Sequence, residues 1–180
     1  IDAFLAFARA FPEHTTLLID TYDTLAAVRK AVQVARFLED RGHRLGAVRL
    51  DSGDIVALSR KVRQVLDDAG LPYVKIFVSG GLDEYLIDQY LDQGAPIDSF
   101  GVGTRMDVSA DVPYLDMAYK LVRYGGRDVL KTSEGKQTWA GEKQVYRELG
   151  AHGQFAGDVI ALRDEPPPSP TAEPLLRTVM

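Results

Sequence analysis

The apolar positions of this chain form an alternating series of short runs and longer amphipathic stretches. Ile1, Phe4, Leu5, Ala8 and Phe11 lie at helical spacing, so the chain opens in a helix pattern. Thr16-Leu17-Leu18-Ile19-Asp20 then predicts a strand, and Thr24 is a candidate N-cap for a helix. That helix carries its stripe through Leu25, Val28, Val32, Ala35 and Leu38 and stops near Gly42. The unit repeats. Ala47-Val48-Arg49-Leu50 is the next strand, and Asp54 can cap a helix with Ile55, Leu58, Val62, Val65 and Leu66 on its apolar face, ending near Gly70. Tyr73 to Val78 is the strongest strand by β-branched and aromatic content, followed by a helix from about Asp83 to Leu91 that ends at Gly94. Ser99-Phe100-Gly101-Val102-Gly103 reads as a fourth strand, weakened by glycine.

The predicted strand ends at Asp20, Asp51, Gly80 and Gly103 recur at roughly thirty residues or slightly less, the scale of one parallel βα unit. The fold class is therefore α/β. Half of a (β/α) barrel accounts for the pattern, and a doubly wound open sheet would leave the same local trace. After Thr104 the period changes. Tyr114 to Val122, Arg127 to Lys131 and Gln144 to Arg147, punctuated by Gly125-Gly126, Gly135 and Gly141, predict strands and hairpins that close the sheet or pack beside it. Asp164 to Pro170 is a proline-rich linker, and Leu175 to Met180 begins another element. This gives a domain over residues 1–163 and a linker with the start of a further segment over 164–180. The chain begins without Met inside a helical pattern, and we expect it to be a piece of a longer protein.

Composition narrows the class. With 46% hydrophobic and 26% charged residues in 180, the chain has the make-up of a globular domain with a sizeable core. A net charge of -5 argues against a general nucleic-acid binder, so any anion site must be local. The absence of cysteine excludes disulfides and thiolate metal sites. No apolar run is long enough to span a bilayer and no basic signal region precedes one, which leads us to expect a cytoplasmic protein.

Three polar segments follow the predicted strands: Arg49 to Asp54, Val78 to Glu84, and Phe100 to Thr104. Parallel α/β proteins collect ligand-binding groups at such strand ends. Arg49 and Asp51 share one strand face by period 2, presenting a cation beside a carboxylate. An arginine can take a carboxylate or phosphate bidentately, and an aspartate can hold sugar hydroxyls or offset developing positive charge. The same turn is also explained without a ligand, as a helix cap relieved by glycine. Ser79-Gly80-Gly81 can be a plain tight turn or a place where backbone amides approach a phosphate at a helix start. Gly101-Val102-Gly103-Thr104 repeats that choice one strand later, with a hydroxyl added. Gly101-x-Gly103 lacks the third glycine of a dinucleotide fingerprint, and no Walker loop is present. His14, His43 and His152 sit in polar contexts without metal-ligand spacing, so no metal ligands are assigned. Asp20-Thr21-Tyr22-Asp23-Thr24 is first a capping turn, with Asp20 or Thr21 also able to face the site. Phe4, Phe7, Phe11 and the methionines are expected in the core, and Trp139 has no assignable role.

Taken in order, LLIDTYDT (17–24), VRLDSGD (48–54), VSGGLDE (78–84), FGVGTR (100–105), LDMAYKLV (115–122) and GEKQVYR (141–147) resemble the barrel portion of nicotinate phosphoribosyltransferases over most of residues 1–163. The resemblance implies a partial (β/α) barrel of the type II phosphoribosyltransferase kind with a β-rich C-terminal segment. It implies ATP-assisted joining of nicotinate to 5-phosphoribosyl 1-pyrophosphate, giving nicotinate mononucleotide and pyrophosphate in NAD biosynthesis. Mg2+, ATP as co-substrate and a homodimer are implied with it. On this reading Asp51 holds the ribose hydroxyls or offsets its developing charge, and Arg49 contacts the pyridine carboxylate or a phosphate. Ser79, Gly80, Gly81, Gly101, Gly103 and Thr104 cradle the 5-phosphate. The family's ATP-coupling histidine segment has no counterpart here and is expected upstream of Ile1; none of the three histidines takes its place. Some relatives carry an acidic residue at the position of Gly81, which leaves the ribose contacts there open. A nicotinamide-using relative, a sugar-phosphate aldolase or isomerase, and a non-enzymatic phosphate-binding or dimerisation piece are the alternatives. Lys75, mid-strand, suits an aldolase poorly.

Overall fold

The computed structural model describes residues 1–109, 119–133 and 135–177. Two compact units divide the chain: one spans Ile1–Met117 with Thr132–Lys136, the other Ala118–Lys131 with Gln137–Met180.

The first unit runs α1 (Asp2–Ala10), β1 (Thr16–Leu18), α2 (Thr24–Glu39), β2 (Ala47–Leu50), α3 (Ile55–Asp68), β3 (Lys75–Ser79), α4 (Glu84–Asp92), β4 (Ser99–Gly101) and α5 (Thr104–Asp107). Its strands form one parallel sheet in the order β1-β2-β3-β4, without a reversal. The pleat sorts the side chains into two faces. Leu17, Val48 and Ile76 are in register, as are Leu50, Val78 and Phe100, and these rows join Val28, Leu38, Val62 and Leu66 of the helices in a single core. The other face carries the row Leu18, Arg49, Phe77 and Ser99 and has none of the fully buried side chains. Removing a side chain from the covered rows creates a cavity: Ile76→Ala is expected to cost about 2–5 kcal/mol, read as the shift in a urea unfolding curve.

The strand-helix alternation is as predicted, with shifted ends. The strand predicted to reach Asp20 stops at Leu18, because Asp20 is drawn into side-chain hydrogen bonding. The fourth strand ends at Gly101 rather than Gly103. Thr24 is the first residue of α2, not its cap; Asp23, in extended conformation, takes that place and accepts from the Ala26 N–H. A carboxylate accepts a helix-start N–H at least as well as a threonine hydroxyl. Asp23→Ala should accordingly cost about 1 kcal/mol, with Thr24→Ala well below that, measurable by denaturant unfolding of the two variants. Asp54 and Asp83 cap α3 and α4 by accepting from Ala57 and Leu86. The helix at the start carries Phe4 against the core, but Phe7 and Phe11 stand outward at 42% and 54% exposure, their rings 5.2 Å apart. Met106 is likewise exposed, correcting the expectation that it is core.

The second unit contains β5 (Arg123–Tyr124), β6 (Arg127–Asp128), β7 (Lys143–Leu149), β8 (Phe155–Leu162) and β9 (Glu173–Pro174). β5 and β6 pair antiparallel across Gly125 and Gly126, both at positive φ, as a two-residue hairpin requires. In the three-stranded sheet β7 lies between β8 and β9. These strands form sheets of their own and add no hydrogen-bonded strand to β1–β4. β8 has no counterpart in the sequence prediction: Gly157 and Asp158 interrupt its apolar pattern, and its register against β7 makes the strand. The proline-rich stretch leads into β9, which pairs with Tyr146 and Arg147. The predicted strand at Tyr114 to Val122 falls largely outside the described residues, as do the last three residues of the expected element at Leu175 to Met180.

Candidate functional site

Because β1–β4 are parallel, their carboxyl ends meet at one edge of the sheet, and there the three polar segments converge. At the end of β2, Arg49 lies on the open face with its guanidinium 5.7 Å from the centre of the Phe77 ring. Its Nε donates to Ser79 Oγ at 2.8 Å, and the Ser79 hydroxyl donates to Asp51 Oδ1 at 2.7 Å. The guanidinium also approaches Asp51 Oδ1 at 3.5 Å. Arginine, serine and aspartate of two neighbouring strands thus form one connected network.

Two further residues fix Asp51. Asp20, only 6% exposed, accepts the Asp51 N–H at 3.1 Å and the Ser52 hydroxyl, tying the end of β1 to the turn after β2. Lys136 donates from Nζ to both the carbonyl oxygen and Oδ2 of Asp51. Burial alone would raise the Asp51 carboxyl; the hydrogen bonds from Lys136 and Ser79 and the charges of Lys136 and Arg49 outweigh it and hold the group below the usual carboxylate range. Asp51 therefore contributes stability that is complete above its unfolded pKa and is lost as pH falls through its depressed folded value.

Gly80 turns at φ +96°, and a Cβ there would lie 2.6 Å from the Asp51 carbonyl oxygen and 3.0 Å from Oδ1. The glycine is what lets β3's exit pass so close to Asp51. Gly81 adopts φ +64° with open space around the missing Cβ. Gly101 is needed for packing, since its Cβ would fall 2.6 Å from Phe77 Cζ. Gly103 and Thr104 are exposed at the start of the four-residue α5, with nothing within 4 Å of a Cβ at Gly103. The N-terminus of α4 already carries a carboxylate, Asp83, so an anion near Gly80 and Gly81 would meet their turn and not that helix start.

Sequence reasoning proposed Arg49, Asp51 and Ser79, which the structure brings together in one network, and named Asp20 beside them, which accepts from the Asp51 N–H and the Ser52 hydroxyl. It missed Lys136. Nothing local marks this residue beyond the glycine before it, and the contact spans 85 positions of sequence. Lys75 sits at the amino end of β3, opposite the site. His14 and His152 are exposed and His43 half-buried, and among the described residues no three His, Cys, Asp or Glu side chains gather as a cation site. Trp139 is 72% exposed. No helix of the described residues is long and apolar enough to cross a membrane.

No protein-family model matches the chain. It is 49% identical over 180 residues to a nicotinate phosphoribosyltransferase of Mycobacterium tuberculosis, all of this chain and 38% of that protein. A Bacillus subtilis nicotinate phosphoribosyltransferase is 41% identical over 174 residues, 91% of this chain and 35% of the relative. Among solved structures, that of human nicotinic acid phosphoribosyltransferase superposes with a TM-score of 0.52 at 30% identity, covering 97% of this chain and 37% of that one. The chain thus spans little more than a third of these relatives. Along its whole length it is homologous to a segment of the nicotinate phosphoribosyltransferases.

Proposed function

We propose that the protein containing this segment joins nicotinate to 5-phosphoribosyl 1-pyrophosphate with ATP as co-substrate, forming nicotinate mononucleotide and pyrophosphate in NAD biosynthesis. The observation that carries the reading is 49% identity along the entire chain to one protein of that name and 41% over 91% of the chain to another, with a charged network at the edge where such chemistry sits. In this reaction the pyridine nitrogen attacks C1 of the ribose as the C1 to pyrophosphate bond breaks, and positive character develops on the sugar ring. No protein nucleophile is required. Asp51, ionised and fixed from three sides, supplies a negative charge that need not reorganise as that character grows. Arg49 spends Nε on Ser79 and leans one terminal nitrogen on Asp51. Its other terminal nitrogen has no acceptor among the described residues and suits the pyridine carboxylate or a phosphate. The amides of Gly80, Gly81, Gly101 and Gly103 and the Thr104 hydroxyl are the donors for the 5-phosphate; the hydroxyl of Ser79, expected among them from the sequence, already donates to Asp51.

The sheet supports a partial (β/α) barrel of the type II phosphoribosyltransferase kind. Its strand order has no reversal, its core lies on one face, and the opposite face carries the Leu18, Arg49, Phe77 and Ser99 row. A doubly wound sheet buries both faces under helices. In this reading residues 1–163 are the barrel portion and 164–180 lead onward, in a homodimeric cytoplasmic enzyme. The described residues do not make a Mg2+ site by themselves. Asp20 and Asp51 already accept from N–H, hydroxyl and ammonium donors, and no third carboxylate joins them.

The test is pyrophosphate release by the full-length protein, with nicotinate or nicotinamide and with or without ATP. Nicotinate-dependent release enhanced by ATP is expected. Release with nicotinamide alone would move the enzyme to the sister activity, and none with either base from folded protein would overturn the transferase reading.

A further inference from the structure

Lys136 is a residue for which the reaction as written has no use, yet it makes the longest-range polar contact to the site. It belongs to a short segment, Thr132–Lys136, that sits with the parallel sheet and not with the strands on either side of it in sequence. Thr132 and Ser133 hold that segment down by donating their hydroxyls to the Thr21 carbonyl at 3.1 and 3.4 Å, and Ser133 is buried. Gly135, at φ +69°, supplies a left-handed step before Lys136, whose N–H returns to the Ser133 carbonyl at 3.0 Å. The segment is thus anchored at the end of β1 and delivers its ammonium at the end of β2.

We propose that Lys136 is a positioning residue for Asp51, locking the carboxylate in one orientation and in its ionised form at the sugar-binding edge. The ammonium grips Asp51 at two points, the backbone carbonyl and Oδ2, so both the turn and the side chain are fixed by one cation. Ser79 and Arg49 take the other carboxylate oxygen, Oδ1. Each oxygen therefore has its own donors, and rotation about the carboxyl bond would break both sets. Among the described residues, the charged groups facing Asp51 are Lys136 from this segment, Arg49 from β2 and Asp20 from the end of β1; β3 contributes the neutral Ser79. Arg49 is the more distant cation and is half-exposed, so Lys136 is the principal counter-charge. A lysine so used also reports on Asp51 specifically: it acts on the rate through that carboxylate, without itself touching substrate.

The catalytic consequence rests on the transferase reading; the electrostatic one does not, and the two are measured separately. In the full-length enzyme, Lys136→Ala is expected to lower kcat about tenfold or more, the equivalent of about 1.4 kcal/mol of transition-state stabilisation, with the nicotinate KM little changed. The acidic limb of the kcat profile should move to higher pH, because burial of Asp51 is then less opposed. Lys136→Arg should restore most of the rate, and Lys136→Gln, which keeps a neutral donor on a slightly shorter stem, should not. Unchanged kcat and an unchanged acidic limb in Lys136→Ala would overturn the assignment. So would a raised KM for phosphoribosyl pyrophosphate at unchanged kcat, which would make the ammonium a substrate ligand. Should the wild-type protein lack transferase activity, the function reading fails while the positioning role stays measurable. The Asp51 13Cγ resonance, assigned by its loss in Asp51→Asn, must titrate at higher pH in Lys136→Ala than in wild type, and coincident titrations would overturn the proposal.

Discussion

Asp51→Asn in the full-length protein is expected to lower kcat by about a hundred- to a thousand-fold while leaving the protein folded, the effect typical of removing one preorganised electrostatic group from a transition state. Asparagine keeps the shape and can still accept from Ser79, but it withdraws the negative charge facing Lys136 and Arg49. Three consequences separate a charge role from a scaffold role. The nicotinate KM should change little, since the carboxylate acts on the sugar and not on the base. Thermal unfolding should shift by only a few degrees, because the network is partly exposed and the backbone contacts of Asp51 to Asp20 and Lys136 persist. Asp20→Asn, which alters the support of the turn and leaves Asp51 charged, should cost less in rate. An Asp51→Asn enzyme with wild-type kcat would remove this carboxylate from the mechanism.

Gly80→Ala is the second large effect, and it should appear as lost stability as well as lost activity. The position combines φ +96° with a would-be Cβ 2.6 Å from the Asp51 carbonyl oxygen, so backbone strain and steric overlap act together. Strain at such a backbone angle costs on the order of 1–3 kcal/mol, and relieving the overlap must move β3's exit away from Asp51. Gly81→Ala is the control. It has φ +64° but open space, so it should cost about 1–2 kcal/mol and leave the network of Arg49, Ser79 and Asp51 in place. Chemical denaturation of both variants, with pyrophosphate release measured beside it, reads the two contributions apart. Equal stability of the two would mean that the close approach of Gly80 to Asp51 is not a constraint on the fold.

The sequence by itself determined a great deal where local pattern and global fold agree. Helical and strand periods located α1–α4 and β1–β4, because each element buries one face in a shared core and so repeats its apolar residues at its own period. Glycines at positive φ marked the ends of α2, α3 and α4, at Gly42, Gly70 and Gly94. The meeting of Arg49, Asp51 and Ser79 was legible because a parallel sheet must bring its strand ends together. What the pattern did not carry was anything set by long-range contact. β8 exists through pairing with β7 across Gly157 and Asp158, residues that disfavour a strand in isolation. Phe11 satisfies the helical stripe and Phe7 was expected in the core with it, yet both stand outward, since spacing tells which residues share a face and not how much of it is covered. Asp23 displaced Thr24 as cap by one residue, within the reach of either side chain. Lys136, with its 85-position reach to Asp51, was decided by the tertiary structure alone. A lone lysine in a polar turn carries no periodic signal, and its role arises only when the fold sets its ammonium against a half-buried carboxylate.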